Sequence, residues 1–472
     1  MSNIGPSLSN ADLQRLIDDP SARGGIGAEE LTEAVLARIA HEQPRLNAFI
    51  TTTEALARAD ARRIDERRER GEAAAPLAGL PLAVKDNIDV AGAPATRGSS
   101  FFRDRVPARD AEVVRRLRAA GAVIVGKLAL HEFAYGATTD NPHYGACRNP
   151  WDPDRIPGGS SGGSGAAVGA DLCFGALGTD TGGSVRIPAA LNGVSALRPT
   201  YGAVSNRGVF PISASLDTVG PIARSIEDVA RIFAVVAAYD RADPWAVEHP
   251  LDDPLAHLHD GAAGLRIGVP SSFFFDDLEP AIGHNTRAVA ERLAALGADV
   301  VDVDVPGAER AVDAATLLIR AEALALHRGR LEAEPERFGE DVRRRLELGR
   351  DISGADVADA IARMREWRAF MLTVFDDVDV ILTPTTNGTA PRIDDAEMIA
   401  TTARLTRFTY AWSLAWMPAV CVPCGLDERG LPTGAQLAAA PWRDAAALRC
   451  GHALQSATDW HRARPPLVEP LI

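Results

Sequence analysis

One step recurs along this chain and restricts its fold more than any other feature. A helical run ends at a turn and passes directly into a short, wholly apolar strand. The stretch "DAEVVRRLRAAGAVIVGKLAL" (110–130) gives a helix, a turn at Gly121 and the strand "AVIVGK". "NTRAVAERLAALGADVVDVDV" (285–305) repeats the step, and "RAFMLTVFDDVDVILTPTT" (368–386) ends in the strand "VDVILTP". Strands that are apolar on both faces need cover on both faces. The alternating helices supply it, so the expected class is α/β, with a sheet core covered by helices on both faces. Other segments fit around this frame. Residues 10–70 read as helices, 78–90 as a turn and a short strand, and "PAVCVPCG" as a further buried strand. Residues 240–262, rich in Pro, Asp and His, read as a surface loop, and 308–372 as a charged helical lobe or cap over the sheet. No repeat of solenoid type is visible.

Composition narrows the function classes. The 472 residues carry 50 basic and 64 acidic side chains, a net charge of −14, which disfavours non-specific binding to nucleic acid or to anionic membranes. The start "MSNIGPSLSNADLQRLI" lacks a basic segment followed by an apolar run, so no signal peptide is expected. No apolar stretch approaches the roughly 18 residues that span a bilayer. Five cysteines in a chain this long point to a reducing, cytoplasmic setting. Cys421 and Cys424 have CxxC spacing, but a metal site wants a second ligand pair of similar spacing and none is visible.

The chemistry is concentrated in "GGSSGGSGAAVGADLCFGALGTDTGGSVRIP" (158–188), which places Ser160 and Ser184 in matching Gly-Gly-Ser settings. Each glycine costs roughly 0.5–1 kcal/mol in regular structure, so the run needs a reason. A phosphate cradle would need GxxxxGK[ST], and no lysine follows Lys127 within this zone. A nucleophile elbow fits "GGSSG", with Ser160 central, but that motif must follow a strand, and "NPWDPDRIP" has three prolines in nine residues. A serine amidohydrolase with a lysine base is the third reading. Gly182, Gly183 and Ser184 offer consecutive backbone N–H groups for an oxyanion hole beside a serine hydroxyl. Lys85 ends the apolar strand "LPLAV", and alternation puts it on the opposite face from Asp86. Burial would lower its pKa and let it act as a neutral base. Spacing alone does not bring Lys85 to either serine.

At this point the sequence resembles the amidase signature family. "PLAVKDNIDV", "GGSSGGSGAAVGA" and "GALGTDTGGSVRIPAALNGVSALRPTYGAVSNRG" are similar to that family's diagnostic segments, in order. Fainter likeness runs through "GKLALHEFAYG" and "TVGPIARSIEDVARI" to "VDVILTPTT" and "PAVCVPCGLDERGLPTGAQL". The resemblance implies one domain over 1–472, in place of the about three that length suggests, built on a large mixed sheet. Within it lie a helical N-terminal segment (1–70), a core carrying the catalytic residues (71–235) and the 308–372 lobe. It implies Ser184 as nucleophile, Ser160 as a bridging serine in a cis peptide, and Lys85 as base. The family's oxyanion hole falls on the N–H groups of Thr181, Gly182, Gly183 and Ser184. Asp180, Arg186 and Ser161 are expected to support the loop, with Ser164 in the same network, and His131 to be structural. No metal and no organic cofactor is expected.

The family spans glutaminase subunits of tRNA-dependent amidotransferases, fatty and aryl amide hydrolases, peptide amidases and urethane-cleaving enzymes. The amidotransferase member carries an aspartate for the glutamine amino group, and Thr406 occupies that place here. The segment "TYAWSLAWMP" adds Tyr410, Trp412 and Trp416, and "EFAYG" adds Tyr135. Aromatic side chains favour an apolar or aryl substituent. The leading expectation is therefore a freestanding amidohydrolase for a small amide, anilide or carbamate with an apolar or aromatic part. A glutaminase subunit is the first alternative, echoed by "VRRRLELG" (342–349), and an α/β-hydrolase esterase with a catalytic histidine is the second. The expected partner is a small amide, without nucleic acid or membrane. A homodimer is left open.

Overall fold

A computed structural model of the chain describes Leu16 and residues 25–395 and 397–466. The strands are β1 (Phe49–Thr52), β2 (Pro81–Lys85), β3 (Val123–Leu128), β4 (Asp140–Asn141), β5 (Gly145–Ala146), β6 (Gly175–Asp180), β7 (Ser195–Arg198), β8 (Thr218–Ala223), β9 (Arg266–Pro270), β10 (Asp299–Val303), β11 (Val380–Pro384), β12 (Ala419–Leu426) and β13 (Pro432–Ala439). Eleven of them form one sheet in the order β1-β3-β2-β6-β8-β7-β12-β13-β11-β9-β10, and β4 and β5 pair separately. The sheet is mixed. β2 runs parallel to β3 and β6, and β9 parallel to β10 and β11, while the central run from β6 through β8, β7 and β12 to β13 is antiparallel.

The helix-to-strand steps read from the sequence are present. Helices α1 (Ala28–Leu46) and α2 (Glu54–Glu69) lie either side of β1 in the chain, and α3 (Glu112–Ala119) feeds β3. In α3 Val113, Val114 and Leu117 are buried while Arg115 faces out, the stripe that sets a helix on a sheet. Next come α4 (Gly162–Gly169), α5 (Arg186–Asn192), α6 (Ile226–Val236) and α7 (Pro280–Ala295), which feeds β10. The charged 308–372 zone is α8 (Ala308–Ala333), α9 (Glu340–Glu347) and α10 (Gly354–Val374). Then follow α11 (Met398–Thr406), α12 (Tyr410–Leu414) and α13 (Asp444–Ser456). Helix α10 starts on a capping box, with Ser353 and Asp356 bonding each other's backbone N–H.

One difference from the sequence reading stands out. The helical stretch expected over 10–70 is broken by β1, which pairs with β3 antiparallel. "FITT" is too short to show a period of its own and gains its conformation from the edge it joins. Residues 10–15 and 17–24 of that stretch lie outside the described residues. In the 308–372 zone, α8 and α10 share one apolar cluster with α12, Phe133, Phe274 and Phe408. A second cluster fills the sheet faces, including Val84, Val125, Leu177, Val219 and Leu437. No helix among the described residues is long and apolar enough to cross a membrane.

Candidate active site

The site forms where the ends of β2 and β6 meet the loop into α4. All five residues of β2 are buried, so Lys85 at its end has no route to solvent. Its Nζ lies 2.7 Å from Ser160 Oγ and 2.8 Å from Thr179 Oγ1. The peptide bond between Gly159 and Ser160 is cis. Burial pushes the Lys85 amine down to about 7, with Asp217 and Asp180 pulling the other way. Asp86 turns elsewhere, taking the Thr96 N–H and hydroxyl and the Lys127 ammonium.

Thr179 escaped the sequence reading. Its Oγ1 accepts from Lys85 Nζ and also from Asn87 Nδ2 at 3.2 Å. A neutral amine has two N–H groups and one lone pair. Thr179 draws one N–H, which leaves the lone pair free to face the Ser160 hydroxyl. The signal lay in period-2 alternation along "GTDT", which sets Thr179 and Thr181 on one face and Asp180 on the other.

Ser184 follows at the loop before α5 and is half-buried. Its carbonyl accepts the Ser161 N–H at 3.2 Å, which ties the two Gly-Gly-Ser segments together. No side-chain hydrogen bond joins the Ser160 and Ser184 hydroxyls among the described residues. Beside Ser184, Gly183 has φ +124°, and a Cβ there would strike the Thr409 side chain. A Cβ on Gly182 would enter the Tyr410 ring. Both glycines are therefore required by close approach of α12.

One oxyanion expectation needs correcting. The Gly183 N–H points inward and donates to Asp180 Oδ1 at 2.8 Å, so it is spent on the loop's own support. Thr181, Gly182 and Ser184 keep N–H groups free of such a bond. Asp180 is held by both Arg186 and Arg198, all three fully buried. Burial alone would raise the Asp180 carboxyl. The two guanidiniums and the Gly183 N–H outweigh it and hold the group below the usual carboxylate range. Ser161 donates to Thr179 O and Ser164 to Leu177 O, pinning the start of α4 to β6. His131 bonds Asp341 and Thr138 through its ring, and only its backbone N–H reaches Ser160 O.

A narrow cavity of about 30 Å³ lies over Ser184, lined by Thr181, Gly182, Ile212 and Tyr410 among others. It adjoins one of about 70 Å³, and the two share Tyr135, Ile319, Arg345, Thr402, Thr406 and Tyr410. Tyr135 and Tyr410 thus line both cavities. Trp412 and Trp416 do not. Trp412 is fully buried and stacks on Phe274 with centroids 5.1 Å apart. Trp416 stacks on Tyr201 at 4.7 Å and donates its indole N–H to Ser215 O. Trp412 is a core residue that α12 turns toward the β9–α7 loop, whereas Trp416, just beyond α12, is half-buried between Tyr201 and Arg368 of α10. The cavity instead contains two cations that sequence reasoning did not place there, Arg320 from α8 and Arg345 from α9. Arg345 is positioned by Asp341, Met398 O and Thr402. No carboxylate is among the residues lining either cavity.

The mixed sheet thus brings a buried amine to the hydroxyl of Ser160, with Ser184 on the neighbouring glycine-rich loop. The chain belongs to the Amidase family, whose model matches residues 30–448. It is accordingly an amidase-type enzyme acting on carbon–nitrogen bonds. A glutamyl-tRNA(Gln) amidotransferase subunit of Chloroflexus aggregans is 41% identical over 470 residues, covering 94% of this chain and 96% of that one. A chain of a vestigial protein complex that reveals the evolutionary origins of an s-triazine catabolic enzyme is similar in structure, with TM-score 0.89 and 37% identity over 95% of this chain and 98% of that one. A peptide amidase from Stenotrophomonas maltophilia is similar with TM-score 0.83 and 31% identity, over 95% and 98%.

Proposed function

We propose that the chain hydrolyses a small carboxamide bearing a carboxylate, with Ser184 as nucleophile, Ser160 as proton relay and Lys85 as base. Neutral Lys85 takes the Ser160 proton as Ser160 takes that of Ser184. The gap between the serines closes on binding, since catalytic hydrogen bonds commonly tighten with substrate. Ser184 Oγ attacks the amide carbon, and the oxyanion rests on the N–H groups of Thr181, Gly182 and Ser184. The relay returns the proton to the leaving nitrogen, and water repeats the sequence on the acyl-enzyme.

The observation that supports the substrate choice is the pair Arg320 and Arg345 lining the cavity of about 70 Å³, where Asp341 holds Arg345 at 3.0 Å and Arg320 has no carboxylate partner among the described residues. Such a site favours an anion. With neither Trp412 nor Trp416 lining the cavities, an apolar anilide or carbamate loses half its aromatic support. Glutamine, used in the manner of the amidotransferase relatives, is better supported than those neutral substrates. That second reading rests on 41% identity across nearly the whole chain and requires a partner protein to receive ammonia. Thr406, where an aspartate is expected for an amino group, counts toward a substrate without an ammonium.

Hydrolysis of glutamine, glutaramate (the same length without the amino group) and acetanilide by the purified chain tests this. The carboxylate-bearing amides are expected to exceed acetanilide in kcat/KM by about 10–100-fold, the worth of one charge-assisted hydrogen bond. Arg345→Met should remove most of that preference. Preference for acetanilide would overturn the proposal. Glutamine turnover only with an added partner protein would select the amidotransferase reading.

A further inference from the structure

Away from the cavity over Ser184, three side chains with metal-ligating atoms face one another: Glu227, His259 and His452. They come from distant parts of the chain. Glu227 lies in the first turn of α6, His452 in α13, and His259 in the Pro-, Asp- and His-rich loop before β9. One ligand atom from each lies within 4.8 Å of the other two. The two imidazoles meet edge to face, with centroids 4.6 Å apart and planes at 87°.

The carboxylate closes this triangle from the first turn of α6. Two imidazole nitrogens and one carboxylate oxygen form a donor set suited to Zn²⁺ and poorly suited to Ca²⁺ or Mg²⁺, which take oxygen ligands. One Glu227 oxygen pairs with Arg231, which leaves the second free to turn inward. His259 is exposed, so its side chain can rotate to bring the donors to the about 2.0–2.2 Å bond lengths zinc requires.

We propose that Glu227, His259 and His452 form a Zn²⁺ site that clamps the 240–262 loop onto α6 and α13, with water completing the coordination. The site serves the fold and takes no part in amide hydrolysis, since none of the three residues lines the cavity over Ser184.

The test uses the untagged full chain, stripped with chelator and dialysed against ZnCl₂. One equivalent of bound zinc and a raised thermal midpoint are expected. Substituting Co²⁺ should give the visible absorption of a four-coordinate ion. His259→Ala, an exposed position whose loss leaves the fold intact, should weaken binding by more than about 10–100-fold, the cost of outer-shell changes alone. It should also abolish the thermal shift and leave amide turnover unchanged. Equal zinc uptake by wild type and His259→Ala, no thermal shift, or an adventitious ion only, held at millimolar zinc, would overturn the proposal.

Discussion

Two lysines sit on neighbouring strands, and the contrast between them explains the site. In the β2–β3 register Val84 faces Lys127 and Lys85 faces Leu128. Both lysines are fully buried. Lys127 meets the Asp86 carboxylate at 2.9 Å and the carbonyls of Asp86 and Pro94. Lys85 meets two hydroxyls and no carboxylate among the described residues. Equal burial therefore has opposite consequences. A paired lysine braces the strand ends, whereas an amine among hydroxyls is held near the point where it can lose and regain a proton. One chain step, from Lys85 to Asp86, separates the two settings, because alternation sends the carboxylate away from the Lys85 amine.

The contrast can be broken from either side. Lys85→Ala and Ser184→Ala should each lower kcat by about 10⁴-fold or more, the scale seen when members of a catalytic unit are removed, with circular dichroism unchanged. Asp86→Asn should act on stability instead. It leaves a buried ammonium without its partner, a loss of about 3–5 kcal/mol measurable by urea unfolding. Asp86→Leu combined with Lys127→Met should recover much of it. Thr179→Val should be milder, lowering kcat about fivefold, the scale of one hydrogen bond of roughly 1 kcal/mol. It should also move the acid limb of the pH–rate profile to lower pH, since removing a polar neighbour disfavours the ammonium further. A purely structural role for Thr179 would leave that limb in place.

Much of this was legible in the residues. The helix-to-strand steps at 110–130 and 285–305 fixed the α/β class, because apolar strands between amphipathic helices have few other solutions. The burial of Lys85 followed from "LPLAV". What stayed hidden depended on contacts between distant segments. β1 exists because β3 offers it an edge. The inward turn of the Gly183 N–H is set by Asp180 between two arginines. Trp412 and Trp416 drew attention as aromatic side chains near a conspicuous strand, yet orientation decides between core and cavity, and five-residue α12 carries no periodic signal. Arg320 and Arg345 reach the cavity from separate helices, so no local pattern could bring them together.

The central claim is that Lys85 acts as an uncharged base, and its pH dependence tests this most directly. Its folded pKa of about 7 lies below the unfolded value of about 10.4. The unfolded chain therefore binds more protons between those limits. The Lys85 contribution to stability rises with pH across that window, and the penalty is complete below about 7. Activity should follow the same group, with kcat/KM climbing through pH 7 to a plateau. Over the same range, the stability gap between wild type and Lys85→Met should narrow from pH 7 to 10. A kcat/KM limb near pH 10, with no pH dependence in that gap below 9, would contradict the account.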